Sequence, residues 1–431
     1  MTPQTVQHVE QADDRSMKTR TGSPASRRWL MFGGAAVLLV LLGGGVFCWI
    51  GRADPDAVWQ AAEADLKERR VDQAEAAIHR LGWLRKPTAD DWMLRAQVAL
   101  ARERTDDAVA ALARIPDGDR LAAQARLMAG QAELRRHRAR FAEQLLREAV
   151  RLDPGLASAH RELIYILGYQ LRREELTAEF QALSQISELT YDNVFHWCLL
   201  RSALWDPETA VDELAQFIET DPDDRWSRLA LADNYRRMSR LDEVEGILAP
   251  LPASDPQARV IRVMLALDRH QEDEAEELLN DGPETDPRLA QLKGRLALAR
   301  RDGPTAVRCF RIAHAGLPDD RDALFGLINA LTLVGDDTAT VPLREIMKRH
   351  EALNSLIQRA GANTERNSIT LLHELGAACA AVARIAEARA WYKVAISRNP
   401  LDTQAQQALF QLDERAKAEH ASPGRGQAPQ S

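Results

Sequence analysis

Four cysteines are spread through the 431 residues without a single C-x-x-C pair, so neither a dithiol redox motif nor a zinc knuckle is encoded. None of the ten histidines stands in H-E-x-x-H. The nearest fragment, His373-Glu374, has no second histidine four residues on, which removes the helical zinc-hydrolase arrangement. Neither a G-x-S-x-G nucleophile elbow nor a Walker sequence occurs. Gly43-Gly44-Gly45 lies inside an apolar run and is no phosphate loop. Sustained alternation of β-branched residues is also missing, which excludes a sheet protein and leaves an all-α reading. No catalytic residue, cofactor or metal is expected.

Excess positive charge is lacking too. The first 52 residues hold six basic and three acidic side chains, leaving 50 basic against 61 acidic beyond them. A field of that sign repels phosphate backbones, so nucleic acid is not an expected partner. The basic run Arg135-Arg136-His137-Arg138-Ala139-Arg140 reads as a solvated turn between helices. Glu272-Asp273-Glu274-x-Glu276-Glu277 reads as an exposed helix start, where acidic side chains favour the helix dipole.

What is abundant is repetition. Ala74, Ala108, Ala142, Leu176, Ala210 and Val244 follow one another at intervals of 34; Ala275 and Ala306 continue at 31, and Ala388 resumes the series. Four residues after each marker comes a bulky apolar side chain: Ile78, Leu112, Leu146, Phe180, Leu214, Leu248, Leu279, Phe310 and Tyr392. Twelve residues before, the side chain is mostly small, as at Ala62, Ala96, Gly130, Cys198, Ala232, Gly294 and Gly376. Twelve residues after stands Pro154, Pro222, Pro256, Pro287, Pro318 or Pro400 in six of nine cases. A fixed period means stacked supersecondary units rather than one globular core.

Each unit holds two helix-length patterns. Leu289, Leu292, Leu296 and Leu298 mark a first helix; Ala306, Phe310 and Ala313, at spacings of four and three, share one face of a second. Arg301-Asp302-Gly303-Pro304 turns between them, and Pro318 ends the unit because proline cannot continue a helix interior. The small residue of the first helix is where a neighbour can approach closely, and the bulky residue of the second fills the gap to the next unit.

These residues resemble the tetratricopeptide repeat family. Leu372-x-x-Leu375-Gly376, Ala388, Tyr392, Ala395 and Pro400 match its pattern, as do Gly294, Ala306, Phe310, Ala313 and Pro318, and Arg228-x-x-Leu231-Ala232-x-x-Tyr235 carries its first half. The resemblance covers about residues 57–400. The unit around Leu176 matches least well. Between Pro318 and Ala388 the register breaks: Phe325 to Leu333 reads as a first helix, then come Val341 to Gln358 and a polar stretch, about fourteen residues more than one repeat.

The resemblance implies a right-handed superhelical solenoid of about ten helix pairs, with first helices lining a concave groove that takes a protein or peptide. Groove residues are then those of the first helices not spent on packing: Arg161, Tyr165, Tyr169, Phe195, Trp226, Arg236, Arg237, Arg295 and Asn329. Arginines and aromatics suit a peptide with acidic groups. The lysine–asparagine clamp of chaperone-tail-binding members has no counterpart. Trp197 reads as core, and Trp205, near a turn, as exposed.

Upstream, Trp29 to Gly51 is 23 residues without charge, roughly 33 Å of helix and enough to span a bilayer core. Its length, and the lack of a following A-x-A site, favour a signal anchor over a cleaved signal peptide. Arg15, Lys18, Arg20, Arg27 and Arg28 precede it and only Arg52 follows closely, which puts the N-terminus in the cytoplasm and the repeats outside it. The three thiols beyond it sit in slots that read as buried; their odd number runs against an oxidising compartment. The expected organisation is a disordered tail (1–28), a transmembrane helix (29–51), the solenoid (52–400), a capping helix (401–419) and a second disordered tail (420–431). Expected function is a non-enzymatic scaffold at the inner membrane of a bacterial envelope. The alternatives are a cytoplasm-facing regulator or chaperone subunit of a membrane enzyme, and a carrier of carbohydrate or lipid. Oligomeric state is left open.

Overall fold

The computed structural model describes residues 54–421, apart from 281, 284 and 363. The expected anchor Trp29–Gly51 and most of the two expected tails lie outside the described residues. Among the described residues there is no strand, and no helix is long and apolar enough to cross a membrane.

Ten helix pairs follow in order: α1 (Pro55–Lys67) with α2 (Val71–Leu84), α3 (Ala89–Ala101) with α4 (Thr105–Leu112), α5 (Ala122–Leu134) with α6 (Ala139–Leu152), α7 (Ala157–Tyr169) with α8 (Arg173–Ile186), α9 (Tyr191–Arg201) with α10 (Val211–Thr220), α11 (Arg225–Arg237) with α12 (Leu241–Leu248), α13 (Pro256–Asp268) with α14 (Glu272–Asn280), α15 (Pro287–Ala299) with α16 (Gly303–Gly316), α17 (Arg321–Leu333) with α18 (Asp337–Ala360), and α19 (Ile369–Ala381) with α20 (Ile385–Arg398). A last helix, α21 (Thr403–Ala421), follows them. The described residues fall into two compact units, divided between Leu94 and Arg95. The described part of the first holds α1, α2 and the start of α3.

One device makes every turn within a pair. A single residue takes positive φ at Arg69, Glu103, His137, Leu171, Ala203, Ser239, His270, Arg301, Gly335 and Ala383. The next N–H then bonds back five residues, as in Arg70 N to Asp65 O (2.7 Å), Arg172 N to Leu167 O (3.0 Å) and Arg384 N to Cys379 O (2.9 Å). This is a left-handed helix stop with its 6→1 bond, which satisfies a carbonyl the ending helix would otherwise orphan. Only Gly335 meets the conformation with glycine; the other nine accept it at a cost that the bond offsets.

Packing follows the periodic residues. All nine markers and all nine bulky residues four positions later are buried. In the regular pairs the small residue admits the large one: a Cβ on Gly130 would lie 2.8 Å from Leu146, and one on Gly376 2.7 Å from Tyr392. Phe310 lies between two glycines, its ring 2.7 Å from a Cβ built on Gly294 of its own pair and 2.1 Å from one on Gly326 of the next. The bulky residue thus fills the gap to the following unit.

The fifth pair departs from this plan. In most pairs the positive-φ residue lies five before the marker; here Ala203 lies seven before Ala210. A short 3-10 helix, Pro207–Ala210, capped by Asp206, then delays α10. The pair is opened: α9 packs on α8, α18 and α20, and α10 on α11. One apolar core runs from Leu127 through Leu231 and takes in Leu353–Leu412 of the C-terminal repeats. The irregular ninth pair serves this closure. Its second helix, α18, has 24 residues where other second helices have 8 to 14, and its far end brings Leu353, Ile357 and Ala360 into that core.

Candidate functional site

The seam between α9 and the C-terminal repeats brings aromatic, thiol and charged side chains together. A capping box of Thr190 and Asn193 starts α9. From it Tyr191 donates its hydroxyl to the carbonyl of Ala360, the last residue of α18, at 2.7 Å. Trp197 stacks on Phe180 of α8, centroids 5.1 Å apart, and is fully buried. Trp391 of α20 meets Tyr191 edge-on at 5.4 Å and donates its indole N–H to Cys198 Sγ at 3.3 Å. Burial, and then the neighbouring Cys379 thiol, push the Cys198 thiol up.

Charge is buried in the same seam. Arg201 Nη1 donates to Glu387 Oε2 at 2.9 Å, and its other arm reaches Asp319. Arg384 Nη1 donates to Ser202 Oγ at 2.8 Å. Glu387 is 0% exposed and Arg384 2%. Glu387 Oε1 and Arg384 Nε have no hydrogen-bond partner. Burial pushes the Glu387 carboxyl up, against the pull of Arg201 and Arg384. Burial pulls the Arg201 guanidinium down, but Glu387 and Asp319 together hold it above its ordinary value. Glu387 Oε1 lies 4.0 Å from Arg384 Nη1, so its charge is paired there without a direct hydrogen bond.

The groove candidates are not gathered on one line. Phe195 belongs to the seam, stacked on Tyr191 at 6.2 Å and close to Gly361. Tyr165 and Tyr169, centroids 4.8 Å apart, face α10: Tyr165 donates to Glu213 at 3.1 Å and Tyr169 meets Phe217 edge-on at 6.4 Å. Burial, then Glu213, push the Tyr165 hydroxyl far up. Arg161 is exposed and donates to Ser187 at 2.9 Å. Trp226 is held between the guanidiniums of Arg172 and Arg225, 4.6 and 4.4 Å from its ring. Arg236 bonds Asp233 and Asp268, and the exposed Arg295 lies 4.0 Å from the same Asp268. Arg237 stacks on Trp205 at 3.9 Å. Trp205, expected to be exposed, is buried: Arg173 stacks on it as well, at 4.8 Å, and its indole donates to Asn234 at 3.3 Å. Asn329 is half-buried, one turn beyond the exposed Phe325 on α17.

Two features escaped the sequence reading. An arginine recurs four residues before the marker, at Arg70, Arg104, Arg138, Arg172, Arg240 and Arg384. It follows the left-handed residue and pairs with acids nearby: Arg172 with Glu175 and Arg240 with Glu243 at the start of the second helix, Arg70 with Asp65 and Arg138 with Glu133 in the first. Its period was legible. The Arg201–Glu387 pair was not, because 186 residues separate its partners.

No protein-family model matches the chain, and no curated protein does. Among solved structures, a tetratricopeptide repeat protein from Parabacteroides merdae aligns over 56% of this chain and 98% of its own, at 14% identity and TM-score 0.30. The Cut9–Hcn1 hetero-tetramer of the APC/C aligns over 89% and 88%, at 12% identity and TM-score 0.32. Pseudomonas aeruginosa PilF aligns over 47% and 94%, at 17% identity and TM-score 0.26. The small-on-large packing and the repeated left-handed turn make this chain a helix-pair repeat, the architecture that its resemblance to the tetratricopeptide family implies.

Proposed function

We propose that the protein is a non-enzymatic scaffold that recruits a protein or peptide partner, anchored in the inner membrane of a bacterial envelope through Trp29–Gly51 with its repeats outside the cytoplasm. The observation that carries the scaffold reading is the repeated helix pair: nine of the ten described pairs spend their periodic residues on packing, which leaves the rest of a long surface for recognition. Arg161, Tyr165, Arg295 and Asn329, with the exposed Phe325 beside the last, are the groove candidates with side-chain surface to offer. Anchoring raises the local concentration of whatever is bound near the membrane. The anchor itself rests on the uncharged run and its flanking arginines.

The test joins two measurements. A reporter active only outside the cytoplasm, fused after Ser431, becomes active under this reading, and a cytoplasmic-only reporter stays silent. A photo-crosslinker at Tyr165 or Arg295 then captures an exported or envelope protein. Cytoplasmic reporter activity would overturn the topology and promote the cytoplasm-facing regulator.

A further inference from the structure

We propose that Trp83, with the edge of the first helix pair that carries it, is seated among the lipid headgroups, so that this pair rests on the membrane surface beside the anchor. This rests on the anchor reading above and names the surface that the first pair meets.

Three observations carry it. First, Trp83 is 82% exposed, the most exposed aromatic side chain among the described residues. The six other described tryptophans, Trp59, Trp92, Trp197, Trp205, Trp226 and Trp391, are buried or half-buried. An indole is large, apolar over most of its surface and polar at its N–H, which suits the boundary between water and lipid.

Second, Trp83 stands at the end of the pair where the chain arrives from the anchor. The helix α1 runs away from Asp54 and α2 returns, so the last turn of α2 lies beside the first turn of α1. Arg85 closes that edge, donating to Asp56 at 2.7 Å and to Asp91 at 2.9 Å. Only Arg52, Ala53 and Asp54 separate Gly51 from Pro55. Those four Cα steps span roughly 14 Å at most. The headgroup layer is itself about 5–7 Å deep, so the edge is held at its level.

Third, the outer face of this pair is uncovered. Leu289 and Leu296 of α15 are buried in a cluster with Val263 and Leu279 of the preceding pair. Ala57 and Ala64 hold the same two places in α1 and are exposed. The uncharged run directly upstream is committed to the bilayer under the anchor reading, so it is not free to fold back over them. Charge does not oppose the contact, because Arg85 pairs with Asp56 and Asp91, and the exposed Lys86 suits lipid phosphate.

The test uses the full chain in vesicles of phosphatidylethanolamine and phosphatidylglycerol. A photo-crosslinking phenylalanine analogue replaces Trp83 in one chain. In a second it replaces Lys67, exposed at the other end of α1 and about 20 Å away. Neither position belongs to the core. After irradiation, intact mass reports a chain carrying one phospholipid. At least tenfold more lipid adduct is expected at position 83 than at position 67. Equal yields, or no lipid adduct at position 83, in a chain that stays with the vesicles through an alkaline carbonate wash overturn the proposal and leave the anchor standing. Release of the chain by that wash overturns the anchor, and this contact with it.

Discussion

The eighth pair and the fifth pair follow the same period and end differently. In α15–α16, Gly294 admits Phe310, the turn at Arg301 closes with its back-bond, and the pair is complete within its own 30 residues. In α9–α10, Pro207 starts a 3-10 turn ahead of the second helix, and α9 packs on α20. A repeat pattern thus specifies that a helix will be buried on a given face, but a short change in the connecting turn decides which helix buries it.

Four substitutions sharpen the contrast, the largest effect first. Trp391→Ala empties a fully buried site and is expected to cost about 3–5 kcal/mol. Hydrogen exchange should rise in α9, α19 and α20 while α15–α16 stays protected; a uniform rise would mean the seam is not a separate unit. Gly326→Ala puts a methyl 2.1 Å from the Phe310 ring, which is itself buried and unable to retreat. Overpacking of this kind costs about 1–3 kcal/mol, read as a lowered denaturant midpoint. The contrasting Gly246→Ala, where no atom lies within 4 Å, should gain about 0.5–1 kcal/mol within α12. Tyr191→Phe deletes only the bond to Ala360 and should cost about 0.5–1.5 kcal/mol, confined to the seam.

A pH series separates buried groups of opposite sign. Burial, then Arg384, hold the His350 imidazole below its ordinary 6.5. Its contribution is fully present above pH 6.5 and is lost as pH falls, by at most about 1.4 kcal/mol per pH unit, because the unfolded chain takes the proton first. Glu387, pushed above 4.5, acts the other way: its contribution is lost as pH rises through the folded value. From pH 7.5 to 5.5 the denaturant midpoint of the natural chain should therefore fall relative to that of His350→Gln, read as the difference between the two series. Equal slopes would show that His350 does not govern the decline.

Much of the fold was legible because burial on a helix repeats every three to four residues. Ala306, Phe310 and Gly294 announce their own contacts, and the recurring proline announces the ends of units. The candidate site was legible only in parts. Tyr165 and Phe195 occupy the same kind of first-helix position, yet one bonds Glu213 of α10 and the other lies beside Gly361. Trp205 reads as a turn residue and is buried by two arginines from neighbouring pairs. Which face of a first helix is open depends on where distant repeats return.

By itself the sequence determined the helical class, the pairing of helices within regular units, the apolar run before them and the net negative charge of the repeats. All of these follow from local spacing and composition. The tertiary structure alone decided that α18 reaches back to α9, that Trp391 meets Cys198 and that Arg201 meets Glu387 across 186 residues. Such contacts depend on small rotations that accumulate from unit to unit, and no single repeat carries them.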